Sequence, residues 1–264
     1  MLDLTEVDVR AALRAAATAE LCWVAGGHPH SSPVVPLQVD GRPALAVPYV
    51  RAQWARDVAA QQEVVLTLSD PRLSGQRWKA VSLRARPRLV EDRGGDLFTD
   101  EMLEDELRKY PPSRALVDSI LLRRENWWYV PRLVLYLDVT ETTLFVERFA
   151  PTTEMVLVTV DDGRPRVDAV RVTSSVASAM ALEALGTRDL PTDADEALLL
   201  AHDFTEPDME LWQTFEVRGP LVASSLRAET PSFAGVQGRM PRLTERLRRQ
   251  RDLRRGCLAG LRTG

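Results

Sequence analysis

Residues 25–37 read AGGHPHSSPVVPL and hold His28 and His30, two of the three histidines in the chain. In an extended segment alternate residues face the same way, so a His-x-His pair could converge on a metal. The same letters also describe a Gly-Gly turn between two strands. A transition-metal site needs a third ligand, and the remaining histidine, His202, lies far along the chain. The turn is therefore the expected reading, with His30 acting as a neutral hydrogen-bonding side chain. A second unusual string is RRENWWYVPR, residues 123–132. Adjacent Trp127 and Trp128 on a strand cannot both face one core, so one of them must seek another surface, such as a subunit or domain interface.

Other chemistries find little support. There is no GxxxxGK[ST] phosphate loop, no GxGxxG after a strand and no GxSxG nucleophile elbow. Cys22 sits in an apolar run without basic neighbours, which suits a buried, inert thiol. Cys22 and Cys257 stand near opposite ends and form no CxxC, as expected of a reduced, cytoplasmic protein. The start, MLDLTEVDVR, lacks the basic and apolar regions of a secretory signal.

These residues need a scaffold, and the bulk composition allows one. The chain has 264 residues, enough for one large domain or two small ones, with 45% hydrophobic and 27% charged residues as in soluble globular proteins. No apolar run approaches the roughly 18 residues needed to span a bilayer, so no membrane partner is expected. The net charge of −4 argues against general nucleic-acid binding. Basic charge is almost entirely arginine, with lysine only at Lys79 and Lys109.

Thr5 looks like a helix cap, followed by Val9, Leu13 and Ala16 on one helical face. From Leu21 the pattern changes to short apolar runs broken by Gly and Pro: LCWVA, PVVPLQV, ALAVPYV, EVVLTLS and WKAVSLRARPRLV. They predict five strands, with Asp40-Gly41 as a hairpin turn. A short helix is expected over 51–62. A helical stretch follows at 99–124, broken at Pro111-Pro112, and then a strand at 132–146. Short strands in close succession predict a mainly β (α+β) fold built on a small barrel.

After FAPTTE, a plausible linker, strands resume. A shift of 134 positions carries Val24 onto Val158 and Trp78 onto Trp212, and EVVLTLS onto ALLLAHD. The agreement of apolar positions suggests a tandem duplication, with one barrel domain at 1–148 and a degenerate second at 149–264. The chain closes on RMPRLTERLRRQRDLRRGCLAGL, an Arg-rich C-terminal helix. That helix either packs one face on the acidic second half or meets an anionic partner.

The run AGGHPHSSPVVPL, the DGRP turn and ALAVPYVRAQWARDVAAQQEVVLTLSDP together resemble the start of the pyridoxamine 5′-phosphate oxidase-like, FMN-binding split β-barrel proteins. The resemblance covers roughly residues 10–146, with a fainter echo at 155–225. It implies a split barrel and a flavin phosphate held just after the third strand, at Pro48, Tyr49, Val50, Arg51, Gln53, Trp54 and Arg56. Arginine offers a planar fork for phosphate oxygens, and the first turn of a helix adds free N–H groups. Arg51 and Arg56 could equally be the solvated face of a helix, and Trp54 a core residue. Lys79, expected opposite Trp78 on a strand, is a further candidate for holding the flavin. The family's habit of placing an aromatic side chain against the cofactor extends the candidates to Trp127 and Trp128.

The basic constellation that the true oxidase uses for pyridoxal phosphate has no Arg-x-His counterpart here, so that activity is not expected. What the resemblance implies is a flavin-dependent oxidoreductase acting on a small-molecule redox substrate, without a named acid–base catalyst. It would work as a homodimer or as an intrachain pseudo-dimer. Ser174-Ser175 fall near where Arg51 would recur, which suggests one site per chain. A deazaflavin coenzyme, heme, or a cofactor-free structural or regulatory role are the alternatives.

Overall fold

The computed structural model describes residues 6–74, 78–117, 127–176, 179–228, 235–236 and 242–263. Thr5 and the segment 118–126, with Arg123, Arg124 and Asn126, lie outside the described residues. Helix α1 (Glu6–Ala15) sets Val9 and Leu13 against the core, and Ala16, just past its end, is buried there too. Six strands follow: β1 (Ala19–Ala25), β2 (His28–Val34), β3 (Leu37–Val39), β4 (Arg42–Pro48), β5 (Val64–Leu68) and β6 (Val81–Asp92), with α2 (Ala52–Ala59) between β4 and β5.

A π-turn at Phe98–Met102, α3 (Leu103–Lys109) and α4 (Arg114–Val117) lead to β7 (Arg132–Leu144). The second half holds β8 (Glu154–Asp161), β9 (Arg164–Val176), β10 (Ala179–Ala184), β11 (Asp193–Phe204), β12 (Trp212–Val222) and β13 (Ser225–Leu226). Helix α5 (Leu243–Thr263) ends the chain. The fold is mainly β, as expected, with short helices and a C-terminal helix. Among the described residues no helix is long and apolar enough to cross a membrane.

Local sequence explains the turns. Ala25 pairs with His28, so Gly26-Gly27 form a two-residue hairpin with φ of +60° and +83°. Asp40-Gly41 makes the same turn between β3 and β4, with both residues at positive φ. This geometry matches strand twist and favours Gly and Asp. The histidines stand in β2 itself, just after the turn. Three expectations shift by a few residues. PVVPLQV is split into β2 and β3 around Val35-Pro36. ALAVPYV leaves the sheet at Pro48, and Tyr49–Arg51 form a single 3-10 turn. Lys79 precedes β6 instead of lying in it, although Trp78 is buried and Lys79 exposed as alternation requires.

All pairings are antiparallel within two sheets. One is an open seven-stranded sheet ordered β2-β1-β5-β6-β7-β4-β3, and the other a closed barrel ordered β10-β13-β12-β11-β8-β9. The order β2-β1-β5-β6 thus recurs as β9-β8-β11-β12. The ungapped register does not recur. Trp23 pairs with Val64, whereas Leu157 pairs with Leu199, one residue beyond the position that a uniform shift gives. A one-residue slip exchanges the faces of a strand, so the two halves correspond by strand order and not residue by residue. No helix corresponding to α2 lies between β10 and β11, and Ser174 and Ser175 are exposed on β9.

The sheet and the barrel face each other through matching strands. Strand β2 touches β8 while β1 touches β9, and β2 touches β11 while β5 touches β9. Such reciprocity is the mark of a two-fold-like interface. Its apolar centre is Cys22 and Val65 from the sheet with Val156, Val158 and Leu198 from the barrel. Beside it lies a buried polar cluster. Glu20 Oε2 accepts from the Thr67 hydroxyl at 2.6 Å, and Glu20 Oε1 takes both an ion pair from Arg148 and His202 Nε2 at 2.7 Å. Burial alone would raise the Glu20 pKa, but Arg148 and the His202 hydrogen bond outweigh it and hold the carboxyl at about 2. His202 Nδ1 is buried without a partner among the described residues, which suits a proton on Nε2 donated to Glu20.

Candidate functional site

The chain leaves β4 at Pro48 and turns through Tyr49–Arg51 into α2. Tyr49 is buried, and Val50 is 44% exposed. Arg51 is exposed and stands at the N-cap of α2, where the Tyr49 carbonyl takes the Ala52 N–H, no side chain caps the helix start and the first turn holds no acid. A cation at the positive end of a helix is electrostatically unfavourable unless an anion joins it. The Arg51 guanidinium lies 4.2 Å over the Trp54 ring, and Arg51 Nη2 donates to Ser32 Oγ at 3.2 Å. Partial desolvation lowers its pKa from the ordinary arginine value, and no described carboxylate offsets that shift.

The neighbouring strands extend this point into a platform. His30 and Ser32 share one face of β2 by alternation. Trp23, directly across from His30 on β1, stacks on its ring at 5.5 Å with planes 11° apart. Trp54 meets Trp23 edge-on at 6.1 Å. Burial, then Arg218, then His28 push the His30 pKa below its usual value, so the ring is neutral at pH 7. Arg218 comes from β12 in the barrel and donates to the Pro29 carbonyl at 2.6 Å. His28, the other histidine, pairs with Glu196 of β11. That pair borders a cleft of about 910 Å³ between the Gly26-Gly27 turn and the barrel end, with Asp193 and Asp195 in its wall.

The residues expected to share a site are only partly brought together. Arg51 and Trp54 meet directly. Arg56 does not join them, because Glu91 holds its guanidinium at 3.1 Å, and Glu91 is paired again by Arg93. Gln53 bonds Asp57 one turn along α2. Trp127 and Trp128 lie in a turn before β7, and the core takes one of them. Trp128 is buried against Tyr129, while Trp127 is 65% exposed. The end of the same string serves the core. Arg132 is buried between the Phe98 and Tyr129 rings, at 4.1 and 3.9 Å.

Ser32, Trp23 and Arg218 were not expected at the site. Ser32 was legible as the residue two beyond His30 on the same strand face. Arg218 depends on how the two halves pack, which no local pattern encodes.

What this arrangement can do is bind an anion next to flat rings. The Arg51 guanidinium, without a carboxylate partner among the described residues, meets the Ser32 hydroxyl at the start of α2, and a Trp–His stack lies alongside. Among the described residues no group of three or more His, Cys, Asp or Glu side chains is placed to hold a metal ion.

No family model and no curated protein match the chain. Several solved structures are similar over about half of it. General Stress Protein 26 from Bacillus anthracis str. Sterne is 13% identical, with a TM-score of 0.36, covering 53% of this chain and 92% of its own. A putative pyridoxamine 5′-phosphate oxidase from Listeria innocua is 12% identical, with a TM-score of 0.33, covering 53% and 96%. The heme storage protein HutZ from Vibrio cholerae is 13% identical, with a TM-score of 0.35, covering 53% and 93%. At this level the likenesses concern the fold of about half the chain and carry no assignment of ligand or activity.

Proposed function

We propose that this chain is a flavin-binding protein that holds FMN by its phosphate at Arg51 and acts as a flavin-dependent oxidoreductase. The observation that carries the reading is the Arg51 guanidinium, set between the Trp54 ring and the Ser32 hydroxyl at a helix start without a side-chain cap, with no carboxylate among the described residues to neutralise it. Arg56, a few residues on, has Glu91 as its counter-ion and is left out of the binding role. The sequence resemblance over residues 10–146 names flavin as the ligand class.

Bound flavin would supply the redox chemistry, and the protein would supply position and surroundings. Arg51 and Ser32 would hold the phosphate, with the dipole of α2 favouring negative charge there. Trp23, with His30 stacked on it, offers a rigid aromatic wall. His30, being neutral, would offer one ring nitrogen as donor and the other as acceptor without adding charge. The two halves would act as a pseudo-dimer with one site, since among the described residues the barrel half has no counterpart of the turn and helix that carry Arg51.

The absorbance spectrum of the purified protein, with mass spectrometry of whatever copurifies, tests the reading. Flavin bands and an FMN mass support it. A Soret band would redirect it to heme, a deazaflavin mass to that coenzyme, and a colourless protein that fails to take up added FMN would end it.

A further inference from the structure

Helix α5 ends on the same turn that carries Arg51. Of its 21 residues, one apolar stripe meets the body, at Leu253, Gly256, Cys257, Gly260 and Leu261, and Arg246 pairs with Glu210 at 3.3 Å nearer the other end. A Cβ at Gly256 would collide with the Val50 side chain, and one at Gly260 with the Tyr49 carbonyl oxygen. The two glycines therefore let the helix backbone close onto the 3-10 turn. Cys257, between them, is 1% exposed with its sulfur against the Tyr49 and Val50 backbone.

Beyond that stripe, among the described residues, the helix is held by one half-exposed ion pair, Arg246 with Glu210, of a kind that contributes little. Leu243 is 72% exposed and Leu247 45%, and Arg248, Arg249, Arg251 and Arg254 all face solvent. Glycine is the poorest helix former after proline, so the docking stretch is also where α5 is intrinsically least stable. A helix with a narrow contact and a weakened end belongs to the low-stability part of a protein, where local opening precedes global unfolding.

We propose that α5 is a reversible clamp that docks through Gly256–Gly260 and holds the Tyr49–Arg51 turn in the shape that presents Arg51. Docked, the helix fixes the backbone on one side of the turn while the Arg51 guanidinium stays open on the other. Undocked, the turn loses its packing partner and Arg51 its position. For its consequence, not for its geometry, the proposal rests on the reading of Arg51 as an anion site.

The chain carries its own reporters. Cys22 is 0% exposed in the apolar centre between sheet and barrel, so its thiol is reached only when the two separate or the fold opens. Cys257 is reached by undocking alone. Under native conditions a disulfide-exchange reagent such as DTNB should label Cys257 at least ~10-fold faster than Cys22. Equal rates would mean that α5 opens only with the whole fold, and would overturn the proposal.

In Gly260→Leu, Cys257 labelling should approach that of an exposed thiol while Cys22 stays protected. Amide exchange at residues 49–52 should also rise about 10-fold or more. A freely labelled Cys257 with unchanged exchange at the turn would show that the helix does not hold it, and would also overturn the proposal. Added FMN should slow Cys257 labelling in the wild type and not in Arg51→Ala. If FMN binds by fluorescence titration yet leaves the labelling rate unchanged, the coupling fails. If FMN does not bind at all, the flavin reading fails, while the labelling ratio and turn exchange still decide the clamp.

Discussion

Replacing Glu20 with Gln should destabilise the whole chain, and the structure sets the scale. The Glu20 carboxyl is 0% exposed and joins three parts of the fold: Thr67 from β5, Arg148 from the linker and His202 from β11. Its pKa falls from 4.5 to about 2 on folding. At about 1.4 kcal/mol per pH unit, this difference stabilises the ionised fold by roughly 3 kcal/mol. Because the folded value is the depressed one, that contribution is complete above pH 4.5 and is lost as pH falls through about 2. In Glu20→Gln the buried Arg148 guanidinium keeps its charge without a counter-ion, a type of change that costs about 3–5 kcal/mol. Urea unfolding followed by tryptophan fluorescence at pH 7 should show that loss. The wild type should also lose stability more steeply than the variant between pH 4.5 and 2. Equal stabilities at pH 7, or parallel acid slopes, would refute the assignment of Glu20 as the ionised centre of the interface.

Three further outcomes follow from burial and charge. Trp128→Ala should cost about 3–5 kcal/mol of stability, as large core truncations do, whereas Trp127→Ala should stay within about 0.5 kcal/mol in urea melts. Burial lowers Lys109, against the opposing pull of Asp105, from 10.5 to about 8. Above pH 8 the unfolded chain keeps a proton that the folded one has lost, so stability should gain roughly 3 kcal/mol from this group up to pH 10.5. Lys109→Met should remove that rise, seen as a flatter plot of unfolding midpoint against pH. Arg56→Ala should leave FMN affinity within about twofold, because Glu91 already neutralises Arg56 and such surface pairs are worth about 0–1 kcal/mol; a large loss on titration would return Arg56 to the site.

Patterns within one strand or turn could be read from the sequence. The Gly26-Gly27 and Asp40-Gly41 turns and the burial of Trp78 against the exposure of Lys79 follow from local patterns; Trp127 and Trp128 do split between surface and core, but in a turn and not on the strand that the sequence suggested. Arg51 at a helix start was legible because the apolar run ALAVPYV ends at Val50 and an amphipathic segment begins, although the strand itself stops at Pro48. What depended on distant segments was not legible. Whether Arg51 or Arg56 keeps a free charge turns on Glu91, which β6 brings beside α2. Glu20 reads as one acid in an apolar strand, and its partners Arg148 and His202 are set by the packing of the barrel on the sheet. The ungapped shift of 134 matched apolar letters, and strand pairing moved one of the matched segments by one residue. Apolar runs tolerate such slips in sequence because most of their positions are interchangeable. Nothing in GCLAGL announced its target, since two glycines four apart describe only a close approach to something.

The most direct test of the Arg51 site compares FMN with riboflavin, which has the same ring and no phosphate. Charge-assisted hydrogen bonds to phosphate are worth about 1.5–3 kcal/mol, or roughly 10- to 100-fold in affinity. Fluorescence titration of the apoprotein should show FMN binding tighter than riboflavin by that factor, and Arg51→Ala should bring the two together. Equal affinities in the wild type, or an FMN preference that survives Arg51→Ala, would contradict the site.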